Sequence, residues 1–152
     1  MRDILFRGKA TNREDYRVYR TTYKNGDWVH GLLTDKENYL GFAEMTNEAG
    51  VQCIEVDKDT VGQYTGLIDK NGKKIFEGDI CDLSILGRDH TLVEISIQHG
   101  CVGFEPLDYD SVHPDDQEWK SFWDNEEHYM WNTNYFTVIG NIHDNPELLE
   151  NN

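Results

Sequence analysis

Proline is scarce in this chain, cysteine equally so at three residues each, and basic residues all but vanish after residue 80, where only Arg88 and Lys120 remain. Each shortage excludes something. With so few prolines there is no Pro/Ser-rich linker, and no low-complexity tract or internal repeat divides the 152 residues. Cys53, Cys81 and Cys101 are an odd count without a C-x-x-C spacing, which argues against a secreted disulfide framework and against structural zinc. Cys81 and Cys101 adjoin Ile80 and Val102 and read as small buried hydrophobes. No apolar run approaches the roughly 18 residues needed to cross a bilayer. The opening "MRDILFRGKATNRED" lacks the apolar core and cleavage site of a signal peptide, so a cytoplasmic location and no membrane association are expected.

Known catalytic signatures are missing too. There is no G-x-S-x-G elbow, no dinucleotide fingerprint, and neither "GKATNRED" nor "GKKIF" has the spacing of a phosphate-binding loop. His30, His90, His99, His113, His128 and His143 are scattered, without an H-x-x-x-H pair. "PDDQEWK" (114–120) has the letters of a P-D…(D/E)-x-K nuclease pattern. Its Asp115 and Glu118, however, are only three apart in a stretch of helical period, where metal-holding carboxylates need adjacent strands. "DYDSVHPDDQE" (108–118) places Asp108 and Asp110 as in a calcium loop but has Val112 and His113 where the next oxygen ligand and the glycine are needed. No cofactor and no metal site are expected.

What is present is negative charge, unevenly spread. The chain carries a net −15; residues 1–80 hold 12 Lys and Arg against 14 Asp and Glu, residues 81–152 two against 15. Between Glu105 and Glu127 nine acids face a single lysine. Such a surface repels phosphate, so nucleic-acid binding is not expected, whereas a basic protein surface would be attracted.

The pattern of apolar residues is that of strands. "TLVEISIQ" alternates Val93, Ile95 and Ile97 with Glu94, Ser96 and Gln98, the period of a half-buried strand, and "CVGFEPL" is its hairpin partner across His99-Gly100. "YLGFAEM" and "VQCIEV" form another pair. Asn25-Gly26 separates Tyr16–Tyr23 from Asp27–Leu33, and Asn71-Gly72 separates Leu67-Ile68 from Ile75-Phe76; both predict type I′ hairpin turns. Gly62 and Gly140 interrupt strand-like runs and predict bulges or close backbone approach. Two short helices are expected. One begins at Pro114 and aligns Trp119, Phe122 and Trp123 as one apolar stripe. The other is capped by Asn145 and begins at Pro146. The fold class is mostly β: roughly seven to ten short antiparallel strands in a β-roll or small open barrel-like arrangement of sheets. A single domain over 1–152 fits the length, with a soft division near 69–74.

Three stretches together resemble the YopX-like family of phages and prophages. They are "ILFRGK" followed after an insert by "NGDWVHG", then "DTVGQYTGLIDKNGKKIFEGDI" (Asp59–Ile80), then "VIGNIHDNPELL" (Val138–Leu149). The resemblance implies a β-rich roll-like fold and a phage or prophage origin. It carries no established activity and no catalytic residues. Arg7 and Tyr64 are the motif residues that no turn requires; a surface ion pair for Arg7 and a core hydroxyl hydrogen bond for Tyr64 are expected.

Outside those stretches, segment 105–131 combines acids with aromatics. Its predicted partner-binding residues are Asp108, Asp110, Asp115, Asp116, Trp119, Trp123 and Trp131. The aromatics read either as a satellite core covering the sheet or as a platform for a protein partner, since base stacking would need a basic surround. The leading expectation is a non-enzymatic interaction module that binds a host or phage protein, in its sharper form a DNA-mimic-like inhibitor. A metal-dependent hydrolase using Asp and Glu, and a self-associating structural protein forming homo-oligomers, are the alternatives.

Overall fold

The computed structural model describes residues 3–11, 16–18, 21–34, 39–41, 53–84, 90–107, 119–124, 129–130 and 132–150. The protein is mostly β, with antiparallel sheets and one short α-helix among the described residues. Two compact units divide it, residues 1–64 and 65–152.

In the first unit, β1 (Phe6–Lys9) is the centre of a curled strip. β2 (Tyr16–Val18) and β3 (Thr21–Tyr23) form a separate small hairpin. β4 (Trp28–Leu33) lies antiparallel to β1, followed by β5 (Tyr39–Gly41) and β6 (Cys53–Glu55), the pair expected from the sequence. The strip curls until Val56, just past β6, bridges Ala10, just past β1. Asp57 N–H donates to Lys9 O at 2.8 Å and Thr11 N–H to Glu55 O at 3.1 Å along that seam. Alternation then puts Ala10, Val29, Ile54 and Val56 inside, with Phe6, Tyr23 and Val61 packed against them. β7 (Gly62–Ile68) begins in this unit, where Gln63 and Gly62 pair with Phe6 and Arg7.

The turn at Asn25-Gly26 differs from expectation. Gly26 has φ 88°, but Asn25 does not have positive φ, so the turn is not type I′. Nor do its flanking strands pair with each other: β3 pairs with β2, and β4 with β1. The turn is closed locally by Asp27, whose carboxylate accepts the Lys24 N–H at 2.9 Å. Gly26 N–H donates to Ala10 O at 2.8 Å, which ties the turn to the end of β1.

In the second unit β7 continues alongside β8 (Lys74–Phe76). β9 (Asp79–Leu83), β10 (Thr91–Gln98), β11 (Cys101–Pro106) and β12 (Lys120–Ser121) follow. β13 (Trp123–Asp124) pairs with β14 (Tyr129–Met130), and β15 (Phe136–Asn141) returns to β9. The main sheet runs β12-β11-β10-β9-β15. Its core side holds Cys81, Leu83, Val93, Ile95, Phe104 and Phe136, as the alternation in β10 predicts. The β10–β11 hairpin is the one that takes the expected turn chemistry: His99 and Gly100 have φ 51° and 78°, and Gln98 pairs with Cys101. The register of β15 shifts between Val138 and Gly140, so a bulge sits where Gly140 predicts one; Gly62 instead pairs in regular register with Arg7. The α-helix α1 (Glu147–Glu150) follows Asn145 and Pro146 as expected.

The predicted helix through Trp119, Phe122 and Trp123 is not formed: Lys120–Ser121 and Trp123–Asp124 are strands. Cross-strand pairing to β11 outweighs the local helical spacing here, and it leaves Phe122 buried. Among the described residues no helix is long and apolar enough to cross a membrane.

Candidate functional site

Within the segment singled out by its acids and aromatics, β11 ends at Pro106 and β12 begins at Lys120. Asp108, Asp110, Asp115, Asp116 and Trp131 lie outside the described residues. Trp119, Phe122 and Trp123 are described, and they divide into two kinds. Phe122 is core: its ring stands edge-on to Phe104 at 5.2 Å and 4.9 Å from Phe136. The Phe104–Phe136 pair, also at 5.2 Å and edge-on, completes a three-ring cluster. Trp119 is laid against the sheet. Its indole occupies the space a side chain at position 103 would fill, and its Nε1–H donates to Ser96 Oγ at 2.9 Å. Gly103 is therefore a requirement of close approach. Trp123 is different: half of its surface is exposed, although the preceding residue is 3% exposed.

Two anchors fix this exposure. Phe122 N–H donates to Val102 O at 3.0 Å, and Gly103 and Phe104 pair with Ser121 and Lys120. The Trp123 N–H donates to Ser121 Oγ at 3.2 Å. With Phe122 turned into the core, its neighbour faces outward.

Carboxylates accompany this segment on the sheet. Glu94 lies directly opposite Glu105 in the β10–β11 register. Burial, then the charge of Glu105, pushes the Glu94 carboxyl above the usual range. Further along, Asp82 Oδ2 lies 2.8 Å from Nδ1 of His90, an exposed pair on which no chemistry is built. Cys81 is fully buried, and burial followed by the charges of Asp79 and Asp69 holds its thiol far above the ordinary range, the opposite of an activated nucleophile. Cys101, expected to be buried, is exposed because it opens β11 right after the His99-Gly100 turn. Among the described residues no group of three or more His, Cys, Asp or Glu could hold a metal ion.

Some residues with structural weight went unread in the sequence. Asp69 is buried at 4% exposure. Its Oδ1 accepts the N–H groups of Asn71 and Lys73 at 2.8 and 2.9 Å, and its Oδ2 that of Val138 at 3.0 Å. Burial alone would raise its pKa; the three N–H donors and the Lys73 charge more than reverse this, leaving the carboxyl below its usual range. Arg7, expected at the surface, is not exposed. It is buried, with its guanidinium 4.6 Å above the Trp28 ring centroid. The signal for Arg7 was its alternation with Phe6 and Gly8, which puts it on the face away from the core. Asp69, just before an Asn-Gly turn, is placed as a residue that accepts N–H groups from its own turn.

These features define a mostly β protein of antiparallel sheets, among the described residues, whose second unit carries a sheet-bound aromatic strap within an acidic stretch. The chain belongs to the YopX protein family, whose sequence pattern it matches over residues 15–150. No curated protein matches it. Among solved structures it is similar to protein EF1440 from Enterococcus faecalis, at 24% identity and a TM-score of 0.44, over 97% of this chain and 98% of that one.

Proposed function

We propose that this protein is a non-enzymatic interaction module of phage or prophage origin, which docks a basic protein surface through segment 105–131. The observation that carries the reading is the outward-facing Trp123, half exposed beside two aromatics that are packed away. A half-buried indole is an effective interface anchor, because it offers a large rigid area at low entropic cost. The acids of the segment, Asp108, Asp110, Asp115 and Asp116 among them, supply a rim that accelerates encounter with a basic partner. In the sharper form their carboxylates stand in for phosphates, and the partner is a protein whose basic surface otherwise meets DNA.

Affinity capture from host extract with duplex DNA as competitor tests the reading. The wild type should retain proteins that duplex DNA releases, Trp123→Ala should lose them through faster dissociation, and joint replacement of the four aspartates by Asn should slow association and flatten the salt dependence. If both variants capture the same proteins with unchanged salt dependence, the segment is only solubilising and the reading fails.

A further inference from the structure

Within the second unit, β15 ends the main sheet, and its outer edge is closed group by group. On the inner side Ser84 N–H donates to Tyr135 O and Ile142 N–H to Gly78 O, both at 2.9 Å. Alternation, shifted once by the bulge between Val138 and Gly140, therefore turns the backbone of Phe136, Val138 and Asn141 outward. Asn145 fills both groups of Asn141: its Oδ1 accepts the Asn141 N–H at 3.3 Å and its own N–H donates to Asn141 O at 3.0 Å. Phe136 N–H donates to Thr133 O. At the start of the strand the turn after β7 supplies the partners: Lys70 N–H donates to Phe136 O at 3.1 Å, and Asp69 Oδ2 accepts the Val138 N–H at 3.0 Å. That turn is also closed on itself, by Gly72 N–H to Asp69 O at 3.0 Å and Asp69 N–H to Lys73 O at 2.8 Å.

We propose that the Asp69–Lys73 turn is an autoinhibitory guard: it holds shut a strand edge through which β15 pairs antiparallel with β15 of a second copy once the turn is lifted. The guard imitates that copy. When β15 pairs with itself about Thr137, the Val138 N–H of each copy donates to Phe136 O of the other. These are the two groups that Asp69 and Lys70 occupy, with an acceptor for the one and a donor for the other. The composition of the strand names the occupant. Tyr135 to Ile142 carries no charged side chain, although the chain as a whole has a net −15. Phe136, Thr137, Val138 and Ile139 are strand formers, and Ile139 is exposed beside the guarded groups. An uncharged strand of this kind pairs with a copy of itself unless something covers its edge. Because the turn keeps its own closure, it can leave β15 as a unit. The device uses none of the residues of the Trp123 segment.

Sedimentation of the full chain and of two variants tests the proposal, each variant breaking one bond of the guard. Lys70→Pro removes the N–H that meets Phe136 O, at the second position of a turn, where proline is well tolerated. Asp69→Asn keeps an oxygen for the Asn71 and Lys73 N–H groups and turns an amide donor towards the Val138 N–H. Each variant should dimerise at least about tenfold more tightly than the wild type. The dimer should strengthen with salt, which screens the repulsion between two copies of net −15. Adding Ile139→Lys, a charge at an exposed position of the edge, should return both variants to monomers. A variant that keeps its fold by melting temperature and stays monomeric overturns the proposal, as does a dimer that Ile139→Lys leaves intact. Loss of fold in both variants would show that the turn is structural alone and overturns it as well. A wild type that already dimerises as tightly as the variants would show that the edge is not guarded.

Discussion

The Asp69 carboxylate accepts the backbone N–H of Val138 at 3.0 Å, joining positions 69 residues apart. Lys70 N–H donates to Phe136 O at 3.1 Å beside it. Together they occupy backbone groups on the outer edge of β15, the strand that ends the main sheet. An open edge invites pairing with other chains, and here a turn fills part of it. The same carboxylate organises that turn by accepting from Asn71 and Lys73. One buried acid therefore shapes a turn and covers an edge.

Replacing Asp69 with Ala should cost about 2–3 kcal/mol or more in urea unfolding, since three N–H groups lose a charged acceptor. The folded-state pKa of Asp69 is depressed, so its contribution is fully present above the unfolded carboxyl pKa and is lost as pH falls through the folded value. Asp69→Asn should therefore show a shallower loss of stability in acid than the wild type. Parallel acid limbs for the two proteins would refute this.

Glu94 predicts the opposite slope. Its folded pKa is raised by burial and by Glu105, so its contribution is present at low pH and is lost as pH rises through that elevated value. Glu94→Gln should stabilise the protein at neutral pH by about 0.2–1 kcal/mol and make no difference in acid. Melting curves across the pH range check both parts.

Glycine substitutions at two neighbouring positions should differ in kind. Gly100 has φ 78° and open space around it, so Gly100→Ala should cost about 1 kcal/mol through backbone strain alone. At Gly103 an added Cβ collides with the Trp119 indole and the Lys120 carbonyl. Gly103→Ala should cost about 1–3 kcal/mol by overpacking, and the Trp119 fluorescence should shift to the red as the ring leaves Ser96. A cost at Gly103 equal to that at Gly100, without a fluorescence change, would contradict the packing described.

Adjacent aromatics provide a further contrast. Phe122→Ala should lower stability by about 3–5 kcal/mol, because it empties the middle of a three-ring cluster. Trp123→Ala removes a half-exposed ring and should leave the melting temperature nearly unchanged. Comparable losses of stability in the two variants would show that Trp123 is structural and would remove the anchor from the proposed interface.

Local patterns in the sequence were enough to establish several parts of this molecule. Period-two alternation in "TLVEISIQ" foretold which side chains of β10 are buried, because a strand's geometry allows only two faces. His99-Gly100 foretold a hairpin because two residues remain between the paired ends. Asn145-Pro146 foretold the final helical turn, although the Asn145 side chain accepts the Asn141 N–H and donates to Glu147. Uneven charge pointed to the acidic segment without any coordinates. Elsewhere the tertiary structure decided. Asn25 and Asn71 are next to glycine yet do not take positive φ; in those turns the carboxylates of Asp27 and Asp69 accept backbone N–H groups. Trp119, Phe122 and Trp123 have helical spacing, but the ladder with β11 and the ring cluster at Phe104 and Phe136 draw the segment into strands at Lys120–Ser121 and Trp123–Asp124 instead of a helix, which leaves Trp123 as the outward ring. Arg7 meets Trp28, and Asp69 meets Val138, through register and chain return, for which no short-range pattern codes. Faces, turns and caps depend on neighbours in sequence; burial of a charge depends on what distant strands bring to it.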